Sequence, residues 1–275
     1  MKKIKFNNES IWSPILFTIV IELAFVIIAI LINFLAPSLV ATVVYRLARI
    51  SRTTAVSLIK SLAPPFTVLR YIIAVWFLLW LNKKWLKEPL DFGNWRWSPE
   101  VIIIGLFALL SEVYGITTTK IGFNATDLSN LCFTFGPAIF EELWFRGIVL
   151  VALVRRMKQQ KLGVFWALLI TSIIFGLGHV ILNDQPNLQE LMLQVISAAG
   201  GGFLYGALYL RSQNLFLPML LHFANDFNAW FFNTCWEDLL PLSDVQCVVL
   251  ELLVNLILGM VLIYKFKTNE ELEVE

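Results

Sequence analysis

The chain has 275 residues, of which 58% are hydrophobic and only 15% charged, with a formal net charge of +1. Its mean hydropathy of +0.75 excludes an ordinary soluble domain. The near-neutral charge leaves no electrostatic footprint for nucleic acid, and nothing resembles a phosphate-binding glycine loop. Long continuous apolar runs also exclude a spanning β-barrel, whose strands alternate over about ten residues.

A spanning helix needs about 20 mostly apolar residues. Eight segments qualify, at roughly 13–35, 66–82, 100–118, 131–154, 163–182, 188–210, 214–235 and 246–265. They predict an all-α polytopic membrane protein, one integral domain over 1–275 forming a bundle of about eight transmembrane helices. The first segment is too long for a signal-peptide core and no small-residue cleavage site follows it, so it is expected to stay in the mature chain. Glu22 and Arg70, in the first two segments, are candidates to pair with each other. Between these segments Arg46, Arg49, Arg52 and Lys60 interleave with Val43, Val44, Leu47, Ile50 and Ile59. That pattern predicts an amphipathic interfacial helix over 41–63, ended by Pro64-Pro65.

Orientation follows from the lysine and arginine bias. With the N-terminus inside, fourteen basic residues fall on the inner side and five on the outer, while Arg70 and Arg146 are intramembrane. Both termini are therefore expected in the cytoplasm. The short basic N-terminus suits a plasma membrane, and an endoplasmic-reticulum membrane stays open as the alternative. The three cysteines match no zinc or CxxC spacing. Cys235 and Cys247 bracket the loop between the last two segments, where a disulfide is one option.

The fourth segment carries Glu141 and Glu142, with Arg146 four residues on. A charged side chain at a helix centre costs on the order of 2.5–3.5 kcal/mol on insertion scales, so such residues face a protein-lined site rather than lipid. Neighbours on a helix point about 100° apart. Glu142 and Arg146, spaced i,i+4 with the acid first, are placed for an ion pair, which leaves Glu141 free to take a proton. A carboxylate in a dry cavity is a better general base. Gly136-Pro137, one turn upstream, can free backbone carbonyls where the helix lines a cavity.

The chain's two histidines also lie in apolar segments. The fifth segment ends in Phe175-Gly176-Leu177-Gly178-His179, where the glycines admit a close neighbour. The seventh holds His222 and Asp226 at i,i+4, so the acid can orient the imidazole. Taken singly, each of these is more often structural. Gly200, Gly201, Gly202 and Gly206 read as a close-packing stripe, and tryptophans at segment ends as an interfacial belt.

EExxxR at 141–146, FxxxH at 175–179 and HxxxD at 222–226, in that order on successive segments, resemble the three motifs of the CPBP (Abi) family of intramembrane endopeptidases, which includes the Ras-converting CAAX endopeptidase. The similarity covers roughly 130–230, with a core at 131–230 carrying the motifs. It implies an eight-span bundle with a conical intramembrane cavity open to one leaflet. It also implies Glu141 as the catalytic base on water, His179 and His222 near the scissile carbonyl, and Asp226 orienting a partner or completing the polar shell; Glu142, Arg146 and Phe175 support them.

A zinc ion on Glu141, His179 and His222 is chemically possible. The lack of an HExxH-like local pair favours a reaction with no cofactor. The expected function is peptide-bond hydrolysis on membrane-associated or lipidated peptides that present an unwound segment, with the bilayer and such peptides as partners. The alternative is a non-catalytic immunity or scaffold protein that captures a peptide on the same polar cluster. A proton-coupled transporter predicts an internal repeat, and none is found.

Overall fold

The computed structural model describes residues 10–49, 51–92, 96–118, 125–181, 187–231 and 242–264. Among these residues the chain is all-helical, with eight helices and no strand. They are α1 (Trp12–Ala48), α2 (Arg52–Lys84), α3 (Pro99–Thr118), α4 (125–157), α5 (Gly163–Gly178), α6 (Leu188–Ser212), α7 (Phe216–Phe231) and α8 (Asp244–Ile263). Four of them, α1, α2, α6 and α8, are long and apolar enough to cross a membrane; α5 is a shorter apolar helix.

Two helices contain wide π-type turns, and each also contains a proline. In α1 the wide turn Ile30–Leu35 lies just before Pro37, which has no N–H to offer the carbonyl four residues back. In α4, Pro137 sits inside the helix, and the wide turns Leu143–Leu150 begin six residues later. Such turns recur at functional sites.

The junction of α1 and α2 departs from the amphipathic segment expected over 41–63. The first helix continues to Ala48, and the chain turns at Arg49, whose φ of 52° is left-handed. Ser51 then caps α2, its hydroxyl accepting from the Thr54 N–H at 3.1 Å. Pro64 and Pro65 do not end a helix; α2 runs through both. The carbonyls they release belong to Lys60 and Ser61, in an exposed turn where interfacial water can satisfy them. A helix cap and a left-handed residue are stronger stops here than two prolines.

The centre of the bundle is the second half of α4. Every residue from Leu143 to Val154 is buried, the all-round burial of a helix enclosed by others. This half of α4 packs with α5, α6 and α1, whereas its first half packs with α2 and α7; α6 in turn packs against α5 and α8. At one end of the bundle Glu88 pairs with both Arg155 and Arg156, each at 3.1 Å. At the same end the Arg96 N–H donates to Ser212 O at 2.9 Å and Trp85 Nε1–H to Ser13 Oγ at 3.0 Å. The start of α1, the loop after α2, the end of α4 and the α6–α7 turn therefore meet, and with them many of the basic residues assigned to one side.

Gly176 of α5 and Gly200, Gly202 and Gly206 of α6 do pack closely. A Cβ on Gly176 would stand 2.5 Å from Val195 O, and one on Gly206 would stand 2.7 Å from Leu168 Cδ2. Cys247 is buried at the start of α8; Cys235 lies outside the described residues. Because the obstacle at Gly176 is backbone, Gly176→Ala must push α5 from α6, costing about 1–3 kcal/mol as overpacking does. Thermal unfolding of the detergent-solubilised protein should show this loss, whereas Gly201→Ala, whose Cβ would meet only Tyr205 Cε2 at 3.9 Å, should leave the midpoint in place.

Candidate active site

Glu142 is fully buried, at 0% exposure, where α4 widens into π turns. Its Oε1 lies 2.9 Å from Arg146 Nη1 and 2.8 Å from His222 Nδ1. One carboxylate oxygen thus holds a cation of its own helix and an imidazole of α7. Arg146 is itself 2% exposed, and its guanidinium lies over the Phe175 ring, 4.3 Å from the centroid. That cation–π contact partly replaces the water the charge has lost.

Phe175 is the hub of the site. Its ring meets His179 edge-on at 5.2 Å and His222 at 6.0 Å, and Phe145 packs on it at 5.1 Å. His179, at the end of α5, directs Nδ1 to the Phe175 carbonyl at 3.1 Å. A carbonyl only accepts, so Nδ1 carries the proton and Nε2 is the free nitrogen. On the same reasoning the carboxylate of Glu142 fixes a proton on His222 Nδ1. His222 Nε2 then faces Glu141 Oε2 at 3.8 Å and Asp226 Oδ1 at 3.5 Å.

The four motif residues expected to do chemistry, Glu141, His179, His222 and Asp226, are therefore brought together. So are the three expected to support them. Glu142 occupies Nδ1 of His222, and Asp226 stands beside Nε2. The i,i+4 spacing within α7 brought Asp226 near the ring without telling which nitrogen it would meet.

Two recesses among the described residues flank this cluster. The larger, about 250 Å³, is lined by His179, His222 and Asp226 and extends to Glu112, Ser197 and Glu251. The smaller, about 100 Å³, is lined by Glu141, His179, Glu22, Trp144 and Gln194. Phe175 and His179 form the wall shared by both. Glu112 accepts from Asn225 Nδ2 at 3.2 Å, and Glu251 accepts from Ser197 Oγ at 2.9 Å. Sequence reading passed over these carboxylates, although their position in apolar segments marked them as costly.

The pairing of Glu22 with Arg70 does not form among the described residues. Arg70 lies instead over Tyr71 and Phe25, 4.5 and 5.3 Å from their ring centroids. Glu141 lines the smaller recess and His222 the larger, with His222 Nε2 3.8 Å from Glu141 Oε2. Among the described residues no group of three or more His, Cys, Asp and Glu side chains is disposed to hold a metal.

A helical membrane protein with carboxylates and imidazoles gathered inside its bundle is thus defined. Residues 127–228 match the family described as type II CAAX prenyl endopeptidase Rce1-like, which contains every one of the motif residues. The match spans the segment that carries the three motifs and supports their likeness to the CPBP family over those residues. No curated protein and no solved structure matches the chain.

The buried ion pair has a measurable weight. Arg146→Met leaves Glu142 charged, buried and short of a partner, a loss of about 3–5 kcal/mol, to be read as a lower unfolding midpoint in detergent. Adding Glu142→Gln to Arg146→Met should recover part of that loss, since the two residues are coupled.

Proposed function

We propose that the chain is an intramembrane endopeptidase in which Glu141 activates water against a peptide carbonyl. The observation that carries this reading is the division between the two adjacent glutamates. Glu142 is spent on Arg146 and His222, while Glu141 is about a quarter exposed, at 24%, and faces a recess. Only the second is placed to exchange a proton.

As the water oxygen bonds to the carbonyl carbon, its proton passes to Glu141. His222 and His179, whose Nδ1 protons are held elsewhere, act on the developing oxyanion through Nε2–H in their protonated forms. When the C–N bond breaks, Glu141 returns its proton to the leaving amine. Asp226, beside His222 Nε2, holds the charged form of that imidazole. No step calls for a metal.

The substrate is a membrane-associated or lipidated peptide with an unwound segment, because the amides of an intact helix are shielded by their own turns. An apolar groove of about 750 Å³ between α2 and α4, with Phe223 at its edge, supports approach from the lipid side. Phe223 neighbours His222 in α7. The basic residues gathered at one end of the bundle support a plasma-membrane protein with both termini in the cytoplasm.

The test is mass spectrometry of peptides released by membranes carrying the wild-type chain or Glu141→Gln at equal expression. Loss of the general base should lower turnover by about 10²-fold or more while the unfolding midpoint holds. Matching peptide sets from the two membranes would turn the reading to peptide capture. Dialysis against a strong chelator should leave wild-type turnover unchanged.

A further inference from the structure

The smaller recess contains polar groups that hydrolysis by the three motifs leaves without a task. Glu22 reaches it from α1, outside the segment 127–228 that carries the family match. Its Oε2 points at α5, standing 3.8 Å from where a Cβ on Gly178 would lie. It makes no ion pair among the described residues, and Arg70 is turned away onto aromatic rings. Glu141, the base, lines the same recess, as does His179.

Two further groups lie there. Trp144 is 2% exposed, and its Nε1–H has no hydrogen-bond partner among the described residues; nor has the buried Oε1 of Gln194. Both residues line the recess. Buried donors and acceptors in native proteins are satisfied by protein or by ordered water, and a polar cavity holds water where two to four partners converge. A volume of about 100 Å³ exceeds the roughly 30 Å³ share of one water molecule. The recess offers one indole donor, one amide oxygen and two carboxylates. It is built for water rather than for an apolar side chain.

We propose that this recess holds the water used in hydrolysis and that Glu22 is a third active-site carboxylate, accepting one hydrogen of that water while Glu141 takes the other. The proposal rests on the hydrolase reading. The water oxygen, held through both hydrogens, presents its lone pair away from the two carboxylates, on the side where His222 Nε2 stands 3.8 Å from Glu141 Oε2. On attack, the bond to the carbonyl carbon forms and one O–H bond breaks to Glu141. The hydrogen held by Glu22 stays on the oxygen and fixes its direction. Trp144 and Gln194 keep the remaining recess water in place behind it.

The experiment measures kcat and KM for a released peptide with the full chain in lipid nanodiscs, comparing wild type with Glu22→Gln, Glu22→Leu and Trp144→Phe. Glu22→Leu should lower kcat about 10- to 100-fold, the order expected when a reacting group loses its orientation, with KM held within about twofold. Glu22→Gln keeps an acceptor oxygen and should recover much of that loss. Trp144→Phe keeps the ring and loses the N–H, and should lower kcat by a few-fold. Unfolding midpoints are taken for every variant, and if Glu22→Leu fails to fold the comparison passes to Glu22→Gln and Trp144→Phe. A wild type that cleaves with all three variants equal to it overturns the water recess alone. A wild type that cleaves nothing overturns the hydrolase reading and the recess with it.

Discussion

Everything in the site depends on one oxygen. Oε1 of Glu142 is shared by Arg146 from the same helix and His222 from α7, at the most enclosed point of the bundle. A carboxylate buried there is tolerable only while both partners are present, since removing one strands the charge. That requirement fixes the rotation of α4 against α7. It also fixes which nitrogen of His222 is bound and which is left to work. Phe175 then closes the arrangement by lying against Arg146 and both imidazoles.

The two glutamates illustrate how a helix sorts adjacent identical residues into unlike tasks. One is enclosed and neutralised; its neighbour, rotated by about 100°, meets a recess. The wide turns that start at Leu143 begin just beyond them. They lie where Arg146 reaches both Glu142 and the Phe175 ring.

What could be read from the sequence was what depends on spacing within one helix. Glu142 with Arg146, and His222 with Asp226, are four residues apart and meet as helical geometry requires. Glycines 176 and 206 were legible as close-approach points because a missing side chain has one packing meaning in an apolar segment. The contact of Glu142 with His222 spans 80 residues, and no periodicity encodes it. The same holds for Glu22, which the sequence marks as costly without naming its neighbour. The α1–α2 junction was misread because two prolines looked like a stop, while the actual stop rests on a backbone dihedral at Arg49 and a serine cap.

The brevity of α5 has a consequence for the surrounding lipid. Sixteen residues make a rod about 24 Å long, against a hydrocarbon layer of about 30 Å. The end at Gly163 follows Lys158 and Lys161, which anchor it among headgroups, so the shortfall accumulates at the opposite end. Hydrophobic mismatch of this kind is relieved by local thinning of the bilayer. The end in question carries His179. Such thinning would draw the interface down toward the imidazole, and on the hydrolase reading it would bring water to the site from the membrane surface.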